Sequence, residues 1–217
     1  MNLPIFPLNT VLFPGIPLPL RVFEARYLRM LAERATIDPV FGISLIETGH
    51  EVGDTPTFHR VGTTARLVSL NAQSTSLVDV VVIGGRRIVL AAPSWSGGYA
   101  VAETEFSPDR AFDTREGGRL LDRARATYTT WIRSVARLAG REFLVPDFGQ
   151  DPAPASFDLA SRLPMHAWDQ QAFLEDDDPL SRMQTVCDVL DRELALLVRG
   201  GVAGTPLRAP GGRFTLN

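Results

Sequence analysis

A chain of 217 residues is long enough to bury a sizeable core, as one large domain or two small ones. Its apolar fraction of 45% is ordinary for a globular chain, and a formal charge of −3 argues against general affinity for nucleic acid or anionic membrane, which calls for a basic excess. All 22 basic residues are arginine, and the one cysteine, Cys187, leaves room for neither an intrachain disulfide nor a cysteine-rich zinc site.

No charged side chain precedes Arg21, and prolines at 4, 7, 14, 17 and 19 interrupt every apolar run. That pattern fits neither a signal peptide nor a transmembrane helix, and it predicts a soluble, cytoplasmic protein. "LPIF" reads as a short strand closed by Pro7. Pro14-Gly15 suits a type II turn, proline presetting φ and glycine accepting the positive φ that follows. Ile16, Leu18 and Leu20 then alternate with Pro17, Pro19 and Arg21, a strand period. Proline donates nothing to a ladder, so this strand is expected at a sheet edge.

From Glu24 to about Ala35 the pattern becomes helical, with Tyr27, Leu28, Leu31 and Ala35 on one face. "PVFGISLIE" reads as a buried strand and "GHEVGDTPT" as a polar loop. "VGTTARLVSL", "LVDVVVIGG", "RRIVLAAPSW" and "YAVAETEF" read as further strands separated by short turns, which favours a mostly antiparallel, partly closed barrel.

Beyond Pro108 helix formers dominate. Between Arg119 and Ala139, Leu121, Ala124, Tyr128, Ile132, Val135 and Ala139 share one face, and Arg119, Arg123, Arg133 and Arg137 the opposite one, with Gly140 as a stop. "FLVPDFGQDPAP" reads as a loop, and shorter helices are expected at 156–163 and 167–174. Asp178 as N-cap, Pro179 in the first turn and Gly200 after the last one bound a final amphipathic helix, with Leu180, Met183, Cys187, Leu190, Leu194 and Leu197 as its apolar stripe. The expected organisation is an α+β chain: a β-barrel at 1–107 with one inserted helix, a helical part at 108–200, and a flexible glycine- and proline-rich tail at 201–217.

Catalytic classes fail mostly by missing parts. Without lysine there is no phosphate-binding loop of the G-x-x-x-x-G-K-[ST] kind and no Ser-Lys dyad, and no G-x-S-x-G elbow is present. His50, His59 and His166 have no partner at ligand spacing, so no metal and no cofactor are expected. Cys187 lies on an apolar helix face, where a small buried thiol is expected rather than a nucleophile. The acidic run Glu175 to Asp178 sits where it would cap a helix N-terminus. The arginines at 119, 123, 133 and 137 form either a solvated face or a set of phosphate contacts. Trp95 and Tyr99 flank "SGG", either a ligand-contacting loop or a hairpin with its aromatics folded inward.

"LPIFPLNTVLFPGIPLPLRVFEARYLRML" resembles the opening of the Lon N-terminal, substrate-binding domain family: an apolar strand, "PL", an "FPG" turn, an "L-x-L-x-[IV]-F-E" strand and a helix carrying "R-Y". "FGISLIETGHEVG", "VGTTARLVSL", "GGRRIVL" and "YAVAETEF" resemble later strands of that family, and "RLPMHAWDQQAFLEDDDPLSRMQTVCDVL" its helical part. The resemblance implies a PUA-like β-barrel followed by a helical bundle. In Lon proteases this domain precedes an ATPase and a serine-lysine peptidase, so the expectation is a stand-alone member without those modules.

The resulting expectation is a non-catalytic module that binds a polypeptide segment or partner protein, in a groove between barrel and helices, as an adaptor in protein quality control beside an ATP-dependent protease. Its candidate residues are Arg21, Glu24, Tyr27, Trp95 and Tyr99. For the first three the alternative is that they brace the strand-to-helix junction through internal hydrogen bonds. RNA binding through Arg119, Arg123, Arg133 and Arg137 and an unrecognised small hydrolase are the other readings. The sequence does not name the partner or the oligomeric state.

Overall fold

Proline, alternation and glycine divide the first hundred residues into strands. The computed structural model describes residues 1–37, 39–53 and 55–199, and the tail expected at 201–217 lies outside them. Among the described residues the strands are β1 (Asn2–Leu8), β2 (Pro17–Val22), β3 (Val40–Thr48), β4 (Thr57–Phe58), β5 (Val61–Ser74), β6 (Leu77–Leu90), β7 (Ser94–Ser96) and β8 (Tyr99–Phe106), with helix α1 (Ala25–Ile37) between β2 and β3. Helices α2 (Thr114–Ala139), α3 (Pro152–Ser161), α4 (Ala167–Glu175) and α5 (Pro179–Val198) follow.

The strands form one eight-stranded sheet in the order β2-β6-β5-β3-β1-β8-β7, with β4 attached to β3. It is a mixed sheet, not a clean barrel: β1 pairs β3 in parallel, Ile5 opposite Gly42. Parallel neighbours require a crossover, and β2 with α1 provides the chain between them. β6 is long enough to pair β2 over Val78–Ile83 and β8 over Ile88–Leu90, so the hydrogen-bonded path returns on itself. β2 takes the edge position its prolines require. The Pro14-Gly15 turn also forms: Gly15 has φ 79° and the Ile16 amide donates to Phe13 O at 3.2 Å.

One expectation is corrected here. "LVDVVVIGG" and "RRIVLAAPSW" were expected as two strands around a glycine turn, but β6 runs unbroken through Gly84 and Gly85. A Cβ at Gly84 would collide with the Phe13 carbonyl oxygen, and one at Gly85 with Thr64 Oγ1. These glycines permit close backbone approach rather than reversal.

By packing, the described residues divide into two units: Met1–Pro108 with His166–Glu175, and Asp109–Met165 with Asp176–Arg199. In the first, Phe6, Leu18, Tyr27, Met30, Leu31, Phe41, Ile43, Val80 and Val82 form the larger core cluster. Leu3, Ile5, Ile88, Leu90, Ala100 and Ala102 form the smaller one. α4 belongs to this unit. Buried Gln171 donates to Val61 O at 3.0 Å, Phe173 packs edge-on to Phe13, and buried Arg87 donates to Leu174 O at 3.2 Å.

In the second unit α2 packs on α5 and α3. Its buried side comprises Gly117, Leu121, Ala124, Tyr128, Trp131, Ile132 and Val135. Asp113, Asp151 and Asp178 cap α2, α3 and α5 through their carboxylates, and Gly140 closes α2 at φ 61°. α3 starts at Pro152, earlier than the expected Ser156, because Asp151 followed by proline is itself a start signal. On α5 the fully enclosed positions are Arg182, Met183, Val186, Cys187 and Leu190.

Candidate functional site

Four of the five candidate residues are tied to α1 or to the strand that feeds it. Arg21 leaves the exposed face of β2 and meets Asp79 of β6, its cross-strand partner, at 2.9 Å. That ion pair is exposed and raises the arginine pKa first through its hydrogen bond to Asp79, with little consequence for stability. Glu24, just before α1, holds Arg26 Nη2 at 2.9 Å and accepts the Gly53 amide at 3.1 Å. Its backbone carbonyl accepts the amides of Tyr27 and Leu28, which starts the helix.

Tyr27 faces inward. It is 1% exposed, stacks on Phe6 at 4.1 Å and lies under the Arg26 guanidinium, 4.8 Å from its ring centre. Its hydroxyl is buried and, among the described residues, has no hydrogen-bond partner. Burial, followed by smaller and opposed charge effects of Arg26, Glu24 and Glu51, pushes its pKa up to about 12. Thus Arg21, Glu24 and Tyr27 are each engaged by groups of the chain itself.

Trp95 and Tyr99 stand on β7 and β8, joined by Gly97 and Gly98 at φ 65° and 92°. The segment is a two-residue hairpin, whose right-handed strand twist calls for positive φ at both centres. Tyr99 is partly buried against the larger core, and its hydroxyl donates to Glu33 Oε2 of α1 at 2.7 Å. A Cβ on Gly98 would lie 3.4 Å from both Arg26 Cβ and Arg29 Nη2, so this turn rests on α1. Trp95 stays 37% exposed.

Residues that sequence reasoning did not single out complete the surface. Glu51, from the "GHEVGDTPT" loop, accepts the Asn9 amide at 3.1 Å. Burial raises its pKa most, the Asn9 hydrogen bond opposes that, and nearby Glu24 adds to it. Because Gly53 is bonded to Glu24, the exposed Val52 and Phe23 sit on either side of that link, at 53% and 44% exposure. The result is a band running from Val52 through Phe23, Glu24 and Arg26 to Gly98 and Trp95: exposed apolar side chains around a charged pair. The "E-V-G" within the resemblance was the available signal for Glu51 and Gly53.

The arginine stripe has a different character. Arg119 pairs with Glu116 at 3.0 Å and Arg123 with Asp191 at 2.6 Å, while Arg133 and Arg137 are exposed on α2. Cys187 is buried, its thiol donates to Leu120 O at 3.7 Å, and burial pushes its pKa up. His59 meets Glu175 at 3.2 Å and packs edge-on to Trp168, whereas His50 and His166 are exposed. Among the described residues no group of three or more His, Cys, Asp or Glu is placed to hold a metal ion, and no helix is long and apolar enough to cross a membrane.

The family model for the ATP-dependent protease La (LON) substrate-binding domain matches residues 2–192. The chain belongs to that family. It is 25% identical over 201 residues to the Lon protease of Escherichia coli strain K12, a match covering 91% of this chain. It is 28% identical over 199 residues to that of Roseiflexus castenholzii, again over 91% of this chain. The chain spans about a quarter of the length of these relatives, 25% in each case.

The crystal structure of a Lon N-terminal domain protein from Xanthomonas campestris is similar at TM-score 0.63 and 26% identity, covering 87% of this chain and 98% of that one. The N-terminal domain of Mycobacterium avium complex Lon protease superimposes at TM-score 0.69 with 14% identity, covering 88% and 98%, and supports the fold alone. The mixed sheet with its helices is therefore the Lon N-terminal fold. The family is named for substrate binding.

Proposed function

We propose that this chain is a non-catalytic module that recognises unfolded or extended polypeptide on behalf of an ATP-dependent protease, on a PUA-like scaffold. The observation that carries the reading is the match to the substrate-binding family over residues 2–192. Within the sheet unit the contact surface is the band along α1. Phe23, Val52 and Trp95 supply apolar area, and Glu24 with Arg26 supplies the polar anchor. Arg21 and Tyr99 border it, and Tyr27 acts from below as a positioning residue that holds α1 on Phe6.

A surface of this kind selects for exposed apolar side chains rather than for a defined sequence, because its apolar contacts are non-directional and only the anchor demands a hydrogen-bonding partner. Fluorescence anisotropy of a labelled, permanently unfolded protein tests it. Binding is expected, and the double substitution Phe23→Ser with Val52→Ser is expected to weaken it about tenfold while leaving the circular dichroism spectrum unchanged, both side chains being exposed. Absence of binding, or binding indifferent to that pair, overturns the assignment.

A further inference from the structure

The sheet has several exposed edges, and they are not equally protected. β2 is blunted by Pro17 and Pro19, whose missing N–H groups leave little for an incoming strand to pair with. β4 and β7 are two and three residues long. β5 is different. Its first part pairs β3 as far as Val40 opposite Arg66, and the Leu67 amide still donates to Pro39 O at 2.8 Å. Beyond that point β5 has only β6 beside it among the described residues: Ser69, Leu70, Asn71 and Ala72 pair Val81, Val80, Asp79 and Val78.

In a strand, successive residues direct their N–H and C=O groups to opposite edges, so every second residue from Ser69 to Ala72 presents both to the side away from β6. Every residue from Val68 to Ser76 is exposed. Two of the usual protections, charge and proline on the strand, are missing. No charged side chain occurs between Arg66 and Asp79, no proline lies there, and Val68 and Leu70 are 56% and 46% exposed. Register shifts at Leu67/Ser69 and Ala72/Ser74 bound the regular stretch at both ends and limit what can be added to it.

We propose that the outer edge of β5 at Ser69–Ala72 is a second contact site, which takes a short, extended, uncharged polypeptide segment as an added strand. The proposal rests on the polypeptide-binding reading only for the class of partner. Backbone hydrogen bonds supply the affinity, which makes the site tolerant of sequence, and the edge strand itself, with no charged side chain between Arg66 and Asp79, disfavours a charged segment that would lose hydration without gaining an opposite charge from it. A second copy of this chain is the poorer occupant. An edge of four regular residues buries far less than the roughly 1,200 Å² that a stable pair of rigid bodies needs, whereas a flexible segment requires only the strand itself.

The experiment uses the whole chain, isotope-labelled for amide exchange, and an end-capped heptapeptide of alternating valine and threonine. The comparison probe is the same peptide N-methylated at alternate residues, which removes the donors of one edge. The peptide is expected to slow exchange of the outward amides within Ser69–Ala72, and the methylated form to bind about tenfold more weakly or worse. Leu70→Pro and Asn71→Pro add a second test. One of the two loses a donor to β6 and destabilises the fold, while the other loses only the outward donor, melts as the parent does and is expected to lose the same tenfold.

With the peptides, the site is overturned by no protection of these amides, by equal binding of both peptides, or by protection that appears without peptide and grows with protein concentration. The last would assign the edge to self-association. Unfolded-protein binding that survives the tolerated proline but not the Phe23/Val52 pair would remove this site and leave the α1 surface standing.

Discussion

Arg182 and Asp109, 73 residues apart in sequence, meet through two parallel bonds, Nη1 to Oδ1 and Nη2 to Oδ2, both 2.7 Å. The guanidinium is completely buried, also donates to Ser156 Oγ at 3.0 Å and Asp176 O at 2.9 Å, and lies 4.2 Å from the centre of the Phe157 ring. A planar fork with five donors suits such a site, and lysine would not replace it. Removing one partner leaves the other uncompensated. Arg182→Ala is expected to lower unfolding stability by about 3–5 kcal/mol in urea titrations. Asp109→Asn should cost less, since its side chain keeps some access to water, and the double-mutant cycle should show strong coupling.

Gly84 allows β6 to pass the Phe13 carbonyl, and its backbone is tied on both sides, Gly15 N to Gly84 O at 2.8 Å and Gly84 N to Ile16 O at 3.0 Å. Neither β6 nor the Phe13–Ile16 turn can retreat without breaking those bonds. Gly84→Ala is expected to destabilise by about 1–3 kcal/mol, the cost of overpacking. Gly118→Ala, at a half-buried position of α2 where a Cβ meets nothing within 4 Å, should instead stabilise by about 0.5–1 kcal/mol. Thermal melts of the two variants should move in opposite directions.

Tyr27 carries a pKa of about 12 against an ordinary 10.0. The folded chain therefore keeps a proton that the unfolded chain releases, and stability present below pH 10 is lost as pH rises toward 12. Tyr99 and Tyr128 are raised too and contribute in the same direction, Tyr99 chiefly through its bond to Glu33 and Tyr128 through burial. Tyr27→Phe removes a hydroxyl without a hydrogen-bond partner, keeps the stack on Phe6, and is expected to be neutral or stabilising by about 1 kcal/mol at pH 7. Its urea midpoint should fall less steeply between pH 10 and 12 than the parent's.

Glu51 has its pKa raised by burial and by Glu24, so the folded state binds its proton more readily than the unfolded chain does. The ionised carboxylate thus costs stability at neutral pH, and that cost disappears as pH falls through the raised pKa. Glu51→Gln preserves an acceptor for the Asn9 amide. It is expected to stabilise at pH 7 and to lose that advantage in acid, which urea titrations at the two pH values will show.

The sequence by itself determined the features that local rules control. The prolines of β2 assign it to an edge because a missing N–H is missing in any context, and the turn at Pro14-Gly15 follows from the φ each residue prefers. The faces of α2 and the Asp178-Pro179 start of α5 follow from helical periodicity and capping. The strand-to-helix junction at Glu24 and the glycine hairpin between Trp95 and Tyr99 were legible as local geometry.

Tertiary structure decided what depends on residues distant in the chain. Gly84-Gly85 reads as a turn until Phe13 and Thr64 are seen against it. Parallel pairing of β1 and β3 follows from where the β2–α1 crossover places the chain, and a helix pattern cannot reveal that Arg182 will find Asp109. Glu51 and Gly53 lie in a segment with no periodicity, and only the bond from Gly53 to Glu24 ties that segment to the start of α1. Periodicity reports which side of an element is apolar, whereas the partner of that side is settled by packing among elements whose order in space the local pattern does not contain.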